Sequence, residues 1–431
     1  MAVAFGLDFG TTNSVFSIMG ADGSVATVRF QAGADTFDVF RSVLFFDVEE
    51  TGRSTSLNVS AGPWGIQDYL AFGEAGRLIQ SMKTFLSSAT FTDTQVFQRR
   101  LTLEELVSAF LGQLRRRVEA EIGPVGGRIT VGRPVNFAGE RPDNALAERR
   151  LSTALAQAGF DDVRFAYEPV AAAYDYGRRL TAAETILVAD FGGGTTDFSL
   201  VELTPDRTAA TGIRARILAT GGVGIAGDSF DRRIVQEVVC PALGKDVPLL
   251  RDTPTPTLPR WLYAHLEQWH HLSLLKNPKT MKLLEELARQ AVDPRPIEGL
   301  THLVRANLGF ALYRAVAAAK ARLSADEETD FAFADGPVSI SRTIRRAEFE
   351  AWIAPDLAEI ADCLDRTLDT AGRDAGAVGR VFMTGGTSLV PAVRRIFAER
   401  FGADRLVSGD ELVSVGRGLA LIDRERAAIP V

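Results

Sequence analysis

The chain has 431 residues, 46% of them apolar and 24% charged, which is the composition of an ordinary globular protein with room for two to four folding units. Disorder, fibrous repeats and a single small binding module are thereby excluded. Forty-eight basic against fifty-five acidic residues give a formal net charge of −7, which opposes phosphate neutralisation, so no nucleic-acid partner is expected. Cys240 and Cys363 are the only cysteines, too few for a disulfide framework, and His265, His270, His271 and His302 lack metal-ligand spacing.

At the start, the apolar run 3–7 meets Asp8-Phe9-Gly10-Thr11-Thr12 and is followed by a second apolar run, 15–18. This reads as strand, glycine turn, strand. With no basic leader and no window of eighteen apolar residues, the expectation is a cytoplasmic protein without membrane attachment. Thr102-x-x-Glu105 is a capping box that predicts a helix ending near Gly123, with Leu103, Leu106, Val107, Phe110, Leu114 and Val118 on its apolar face. Arg115, Arg116 and Arg117 in its later turns read as a solvated face.

In mid-chain the phrase returns. Asp190-Phe191-Gly192-Gly193-Gly194-Thr195-Thr196-Asp197 lies between the apolar runs 186–189 and 198–201, and predicts a second hairpin. Such turns can aim successive backbone N–H groups at phosphate oxygens, while an Asp at the strand end suits hydrated Mg²⁺. Two of them, one per lobe, would close on a nucleotide polyphosphate from opposite sides. A P-loop is absent, because Gly244-Lys245 is followed by Asp246. Gly222-x-Gly224-x-x-Gly227 matches a dinucleotide fingerprint in form, but Pro241, Pro248, Pro254, Pro256 and Pro259 break the strand that should follow, so these glycines read as a further turn near the nucleotide. A helix is expected over 229–239, and the aromatics of 261–269 are expected in the core of a small helical elaboration. Pro391 and Gly402 bracket another helix, through Val393, Ile396 and Phe397.

These motifs resemble the nucleotide-binding domain of the Hsp70 family, within the actin, hexokinase and Hsp70 superfold. Gly6-Leu7-Asp8-Phe9-Gly10-Thr11-Thr12-Asn13-Ser14 is similar to its first phosphate motif, and residues 189–197 to its second. Tyr167-Glu168-Pro169-Val170-Ala171-Ala172-Ala173 resembles its connecting motif, Gly227-Asp228-Ser229-Phe230-Asp231 its G-G-x-x-F-D, and residues 383–391 its adenosine motif. The resemblance runs from residue 6 to about residue 418. It implies an α/β, actin-like ATPase fold in two lobes, each on a duplicated mixed sheet with flanking helices (ribonuclease H-like). Lobe I would be 1–180 with 405–431, its outer part about 29–124; lobe II would be 181–404, with an enlarged outer part about 229–350.

The roles implied by the resemblance follow position by position. Asp8 and Asp190 would hold Mg²⁺; Lys83, Glu168, Thr195 and Asp197 would be catalytic. Gly10, Thr11, Thr12, Asn13, Gly192, Gly193, Gly194, Thr196, Gly227, Asp228, Lys320, Ser324, Gly385, Gly386, Thr387 and Asp410 would bind ATP or ADP. The family's nucleoside pocket has a Glu and two Arg that are here Ala317, Ala321 and Leu389, which predicts weaker nucleoside binding or relaxed base selectivity, since stacked cations contribute about 0.5–2 kcal/mol each. With no interdomain linker or substrate-binding domain expected, the chain looks like the YegD-type Hsp70-like proteins of bacteria. The expected activity is slow Mg²⁺-dependent ATP hydrolysis that opens and closes the lobes of a monomeric chaperone-like switch, with a protein client or co-chaperone as partner. The alternatives are a small-molecule kinase and an actin-like filament subunit.

Overall fold

Both DFG phrases fold as hairpins. A computed structural model describes residues 4–51, 54–72, 76–139, 142–178, 180–206, 212–250, 257–267, 272–408 and 413–428. Strands β1 (Ala4–Phe9), β2 (Asn13–Met19), β3 (Val25–Thr27), β4 (Arg128–Arg133) and β5 (Asp162–Tyr167) form the main path of one mixed sheet in the order β5-β4-β1-β2-β3. Strands β6 (Glu184–Phe191), β7 (Thr196–Pro205), β8 (Ile213–Val223), β9 (Arg380–Thr384) and β10 (Leu406–Ser408) form a second in the order β10-β9-β6-β7-β8. The two orders are the same pattern written twice. In each, a central strand pairs antiparallel with its hairpin partner on one side and parallel with a later strand on the other.

The chain divides into two units, Met1–Gly227 with Glu359–Val431, and Asp228–Ala358. In the first unit, helix α1 (Leu103–Ile122) starts at the predicted capping box: the Glu105 N–H donates to Thr102 Oγ1 at 3.2 Å, and the Thr102 N–H donates to Glu105 Oε2 at 2.7 Å. All six predicted apolar-face residues are buried, in one cluster with Phe9, Phe16 and Phe40 of the first sheet. Helix α2 (Asn144–Gln157) joins that cluster through Ala147, Leu151, Ala154 and Leu155. The solvated reading of the arginine triplet fits only exposed Arg116. Arg115 donates to the carbonyls of Val125 (2.8 Å) and Gly159, tying α1 to the end of α2, and the Arg117 guanidinium lies 3.8 Å from the Trp64 ring centroid. Sequence periodicity cannot register either partner.

Helix α3 (Glu168–Gly177) and helix α5 (Ser414–Ala428) cross at very close range; between them in the chain, α4 (Pro391–Phe401) fills the predicted 391–402 bracket. A Cβ on Gly418 would overlap the Ala171 carbonyl oxygen, so only glycine lets the backbones meet. The crossing is fixed by the Arg417 guanidinium, which donates to both oxygens of buried Asp175 at 3.1 and 2.6 Å. Further along α5, fully buried Asp423 accepts from the Phe5 N–H (3.2 Å) and from Thr130 Oγ1 (3.1 Å), binding the last helix to β1 and β4.

The helix expected over 229–239 runs Gly227–Ile234, beginning at the last residue of the first unit's leading segment, and continues in the second as a π-helical turn, Val235–Val239. The hairpin Glu328–Asp335 and Val338–Arg345 alternates buried and exposed residues, with Phe331, Phe333, Ile340 and Ile344 inward. Of the aromatics expected in the core, Tyr263 is buried with its hydroxyl donating to the Leu243 carbonyl at 3.1 Å, Trp261 is 43% exposed, and Trp269 lies outside the described residues.

Replacing Gly418 by Ala is expected to cost about 3 kcal/mol or more in chemical denaturation, because the obstacle is backbone and cannot swing away. By contrast, Gly112→Ala inside α1, where an added Cβ meets nothing within 4 Å, should stabilise by about 0.5–1 kcal/mol.

Candidate functional site

The first hairpin turn is held from outside its own strands. The Ser42 N–H donates to the Thr12 carbonyl at 2.9 Å, Ser42 Oγ donates to the Gly10 carbonyl at 2.7 Å, and Arg41 Nη1 donates to Asn13 Oδ1 at 3.1 Å. In the second turn the Gly192 N–H donates to the Thr195 carbonyl at 2.9 Å, and Thr196 Oγ1 to that of Ile225 at 2.6 Å. The two turns face each other: a Cβ on Gly194 would sit 3.7 Å from Thr11 Oγ1. Gly385, at φ 83°, turns the 385–389 segment against the Phe191 carbonyl at the end of β6.

Lys83 lies on a single 3-10 turn, Met82–Phe85, entered through Ser81 in the left-handed region at φ 50°, ψ 33°. Its Nζ is 2.7 Å from Glu168 Oε1, and both side chains are only 8% exposed. Glu168 opens α3 immediately after β5, where its carboxylate also favours the positive end of the helix. Asp190 and Asp197 stand directly opposite each other across β6 and β7, a pairing of like charges that works against the sheet. Asp197 Oδ1 is anchored by the backbone N–H groups of Val135 at 2.7 Å and Asn136 at 3.4 Å.

The electrostatics follow from this crowding. Burial, then Glu168, pushes the Asp8 carboxyl up to about 7 against the pull of Lys83. Burial and Glu168 likewise push Asp197 up to about 7, although the Thr195 hydroxyl and the two N–H groups hold it back. Asp190 is raised well above its ordinary value by burial, Glu168, Asp8 and Asp197. Lys83 is pulled down by burial, but Glu168, Asp8 and Asp197 outweigh this and leave it raised. The cluster is short of positive charge. Among the described residues no three His, Cys, Asp or Glu side chains converge as a protein cage for a metal. A hydrated Mg²⁺ held through water and phosphate oxygens needs no such cage, and the excess of carboxylates fits one.

The remaining predicted residues divide between the units. Gly227, Gly385, Gly386 and Thr387 belong to the first, where Thr387 is buried and Leu389 is 46% exposed. Asp228, Lys320 and Ser324 belong to the second; there Lys320 Nζ is 2.8 Å from Asp231 Oδ1 and Ser324 Oγ donates to the Lys320 carbonyl at 3.3 Å. Asp410 lies outside the described residues. Sequence reasoning missed Ser42, the Val135 and Asn136 amides, and Asn144, which accepts from the Phe137 N–H and donates to Asn136 Oδ1, both at 2.9 Å. These are backbone or amide contacts that carry no spacing signature.

The family model for Hsp70 protein matches residues 80–246 and 308–422. The chain belongs to the Hsp70 family. The Hsp70 fold is the actin-like ATPase fold, and the two mixed sheets of identical order are its core. Among curated relatives, the chaperone protein DnaK of Deinococcus radiodurans is 26% identical over 96% of this chain and 59% of its own length. DnaK of Thermosipho africanus is 26% identical over 96% and 58%, and that of Deinococcus deserti 25% identical over 96% and 59%. This Hsp70-family chain thus spans about three-fifths of the length of the curated relatives it matches. None of its described helices is long and apolar enough to cross a membrane.

A carboxyl group with a raised folded-state pKa keeps its proton when folded at pH values where the unfolded chain has lost it, so stability falls as pH rises from about 4 through about 7. Asp197→Asn, still able to accept from Val135 and Asn136, is therefore expected to stabilise the protein at pH 8 by on the order of 2 kcal/mol and to flatten that pH dependence in urea titrations.

Proposed function

We propose that this chain binds ATP with Mg²⁺ between its two facing hairpin turns and hydrolyses it slowly. The observation that carries the reading is the buried cluster itself. Asp190 opposite Asp197, with Asp8 and the Lys83–Glu168 pair, is costly for folding and becomes useful once a polyphosphate and a divalent cation arrive. In this reading Thr11 and Thr12 donate hydroxyls to phosphate oxygens, Thr195 turns its hydroxyl from Asp197 to phosphate when the ligand arrives, and backbone N–H groups of the glycine turns join them. Lys83 offsets charge developing on the transferred phosphoryl group, while Glu168 orients its ammonium. Asp197, locked by Val135 and Asn136, accepts a hydrogen bond from the attacking water. Mg²⁺, held in its hydration shell by Asp8 and Asp190, would supply charge neutralisation on the β- and γ-phosphates.

Support also comes from the Hsp70 family match and from the DnaK chaperone proteins among its relatives. On this reading, losing the γ-phosphate releases one hairpin from the other and lets lobe I (1–180 with 405–431) and lobe II (181–404) open. The opening would regulate a protein client or co-chaperone from a cytoplasmic monomer.

Calorimetry with ATP, ADP and GTP, with and without Mg²⁺, followed by phosphate release, tests the proposal. Mg²⁺-dependent ATP binding is expected, and Asp8→Asn and Lys83→Ala should each lower turnover at least about tenfold with unchanged circular dichroism. Wild-type turnover in purified Lys83→Ala would refute the assignment of that lysine. A phosphorylated small molecule formed in place of free phosphate would replace hydrolysis by kinase chemistry.

A further inference from the structure

The turn that carries Lys83 is rooted in the core through Met82 and Leu86, but the polar backbone that follows it needs partners from elsewhere. It is one turn of 3-10 helix, entered through a non-glycine residue in the left-handed region, and the chain after it runs without regular structure to Thr92. What gathers this segment is Arg150, a buried residue of α2 with 8% of its surface exposed. Its Nη1 donates to the carbonyls of Phe85 (3.3 Å), Leu86 (3.2 Å) and Ser88 (2.9 Å), and its Nη2 to that of Phe91 (3.0 Å). Its Nε is 3.1 Å from Glu104 Oε1 at the start of α1, so the guanidinium is oriented by a carboxylate while its other two nitrogens clasp the segment. A planar fork of donors suits this task, and an ammonium on a flexible stem does not.

The same helix reaches the other side of the site. Asn144, in its first turn, holds Asn136 and Phe137, next to the amides that anchor Asp197. Ser87 adds a direct tie, its Oγ donating to the Ala138 carbonyl at 2.6 Å while its own carbonyl accepts from the Asp143 N–H at 3.3 Å. Lys83 and Asp197 are thus referred to one rigid body, α2, by Arg150 and Asn144.

We propose that Arg150 is a positioning residue that acts through Lys83, fixing the 3-10 turn so that the ammonium stays buried against Glu168. The kinetic part of this proposal rests on the hydrolysis reading above; the structural part does not. The test uses the full chain and two readouts. In the first, amines are acylated with limiting acetic anhydride, and labelling of Lys83 is measured by mass spectrometry relative to Lys282, whose side chain is 78% exposed. Arg150→Met should raise the relative labelling of Lys83 at least about fivefold by freeing the turn, and Arg150→Lys about twofold. In the second, phosphate release is measured in a double-mutant cycle. Arg150→Met should lower kcat about tenfold with KM for Mg·ATP changed by less than about twofold, and should add less than about twofold in a Lys83→Ala background.

Unchanged Lys83 labelling in folded Arg150→Met overturns the proposal, and so does a full effect of Arg150→Met that persists without Lys83. If Arg150→Met does not fold, Arg150→Lys carries the labelling test, and no rise there overturns it. A wild-type chain that releases no phosphate ends the hydrolysis reading, and labelling then decides the role of Arg150 alone.

Discussion

One buried ammonium faces four carboxylates, and the rest of the first unit is arranged around that imbalance. Lys83 can neutralise Glu168 at contact distance but leaves Asp8, Asp190 and Asp197 to share what remains of its field. In a dry interior such crowding is paid for by retained protons, and the raised carboxyl groups are the sign of it. A fold selected for stability alone would replace these groups with apolar side chains of similar size. On the proposed reading, a divalent cation bound together with a polyphosphate would offset this excess of carboxylates.

Holding like charges together requires stiff supports, and the duplicated sheets supply them. Central strands β1 and β6 each end in a DFG turn, so the same position in the two sheets delivers Asp8 and Asp190 to one place. Connecting helix α3 begins at Glu168 with no loop after β5, so the carboxylate inherits the precision of a strand end. The least regular support is the stretch around Lys83, and there a buried guanidinium gathers the backbone carbonyls.

Where information is local, the sequence could be read. The paired hairpins, the Thr102–Glu105 box with its six apolar contacts inward and the Pro391–Gly402 bracket depend on neighbouring residues alone, and all appear where composition and spacing point. Arginine partners were the blind spot. Arg115, Arg117 and Arg150 look alike as letters, yet one clasps helix-end carbonyls, one lies over Trp64, and one gathers an irregular segment. Their partners lie far away in the chain and are often backbone groups, which have no letter of their own. Trp261 was misjudged for a related reason, since an aromatic run sets hydrophobicity but not which ring faces inward. In the candidate site, motifs supplied the carboxylates and the lysine, whereas the amides that orient Asp197 could emerge only from coordinates.

The bond from the Phe5 N–H to Asp423 joins residues 418 positions apart. On a ribosome adding roughly 5–20 residues per second, the partner of that amide arrives about 20–80 s after the strand that needs it. Until then β1 lacks α5 against one face, and the glycine contact between α5 and Ala171 cannot form. The first hairpin of the site is therefore fully seated only after α5 has been synthesised, and until then the sheet that carries it is incomplete on that face.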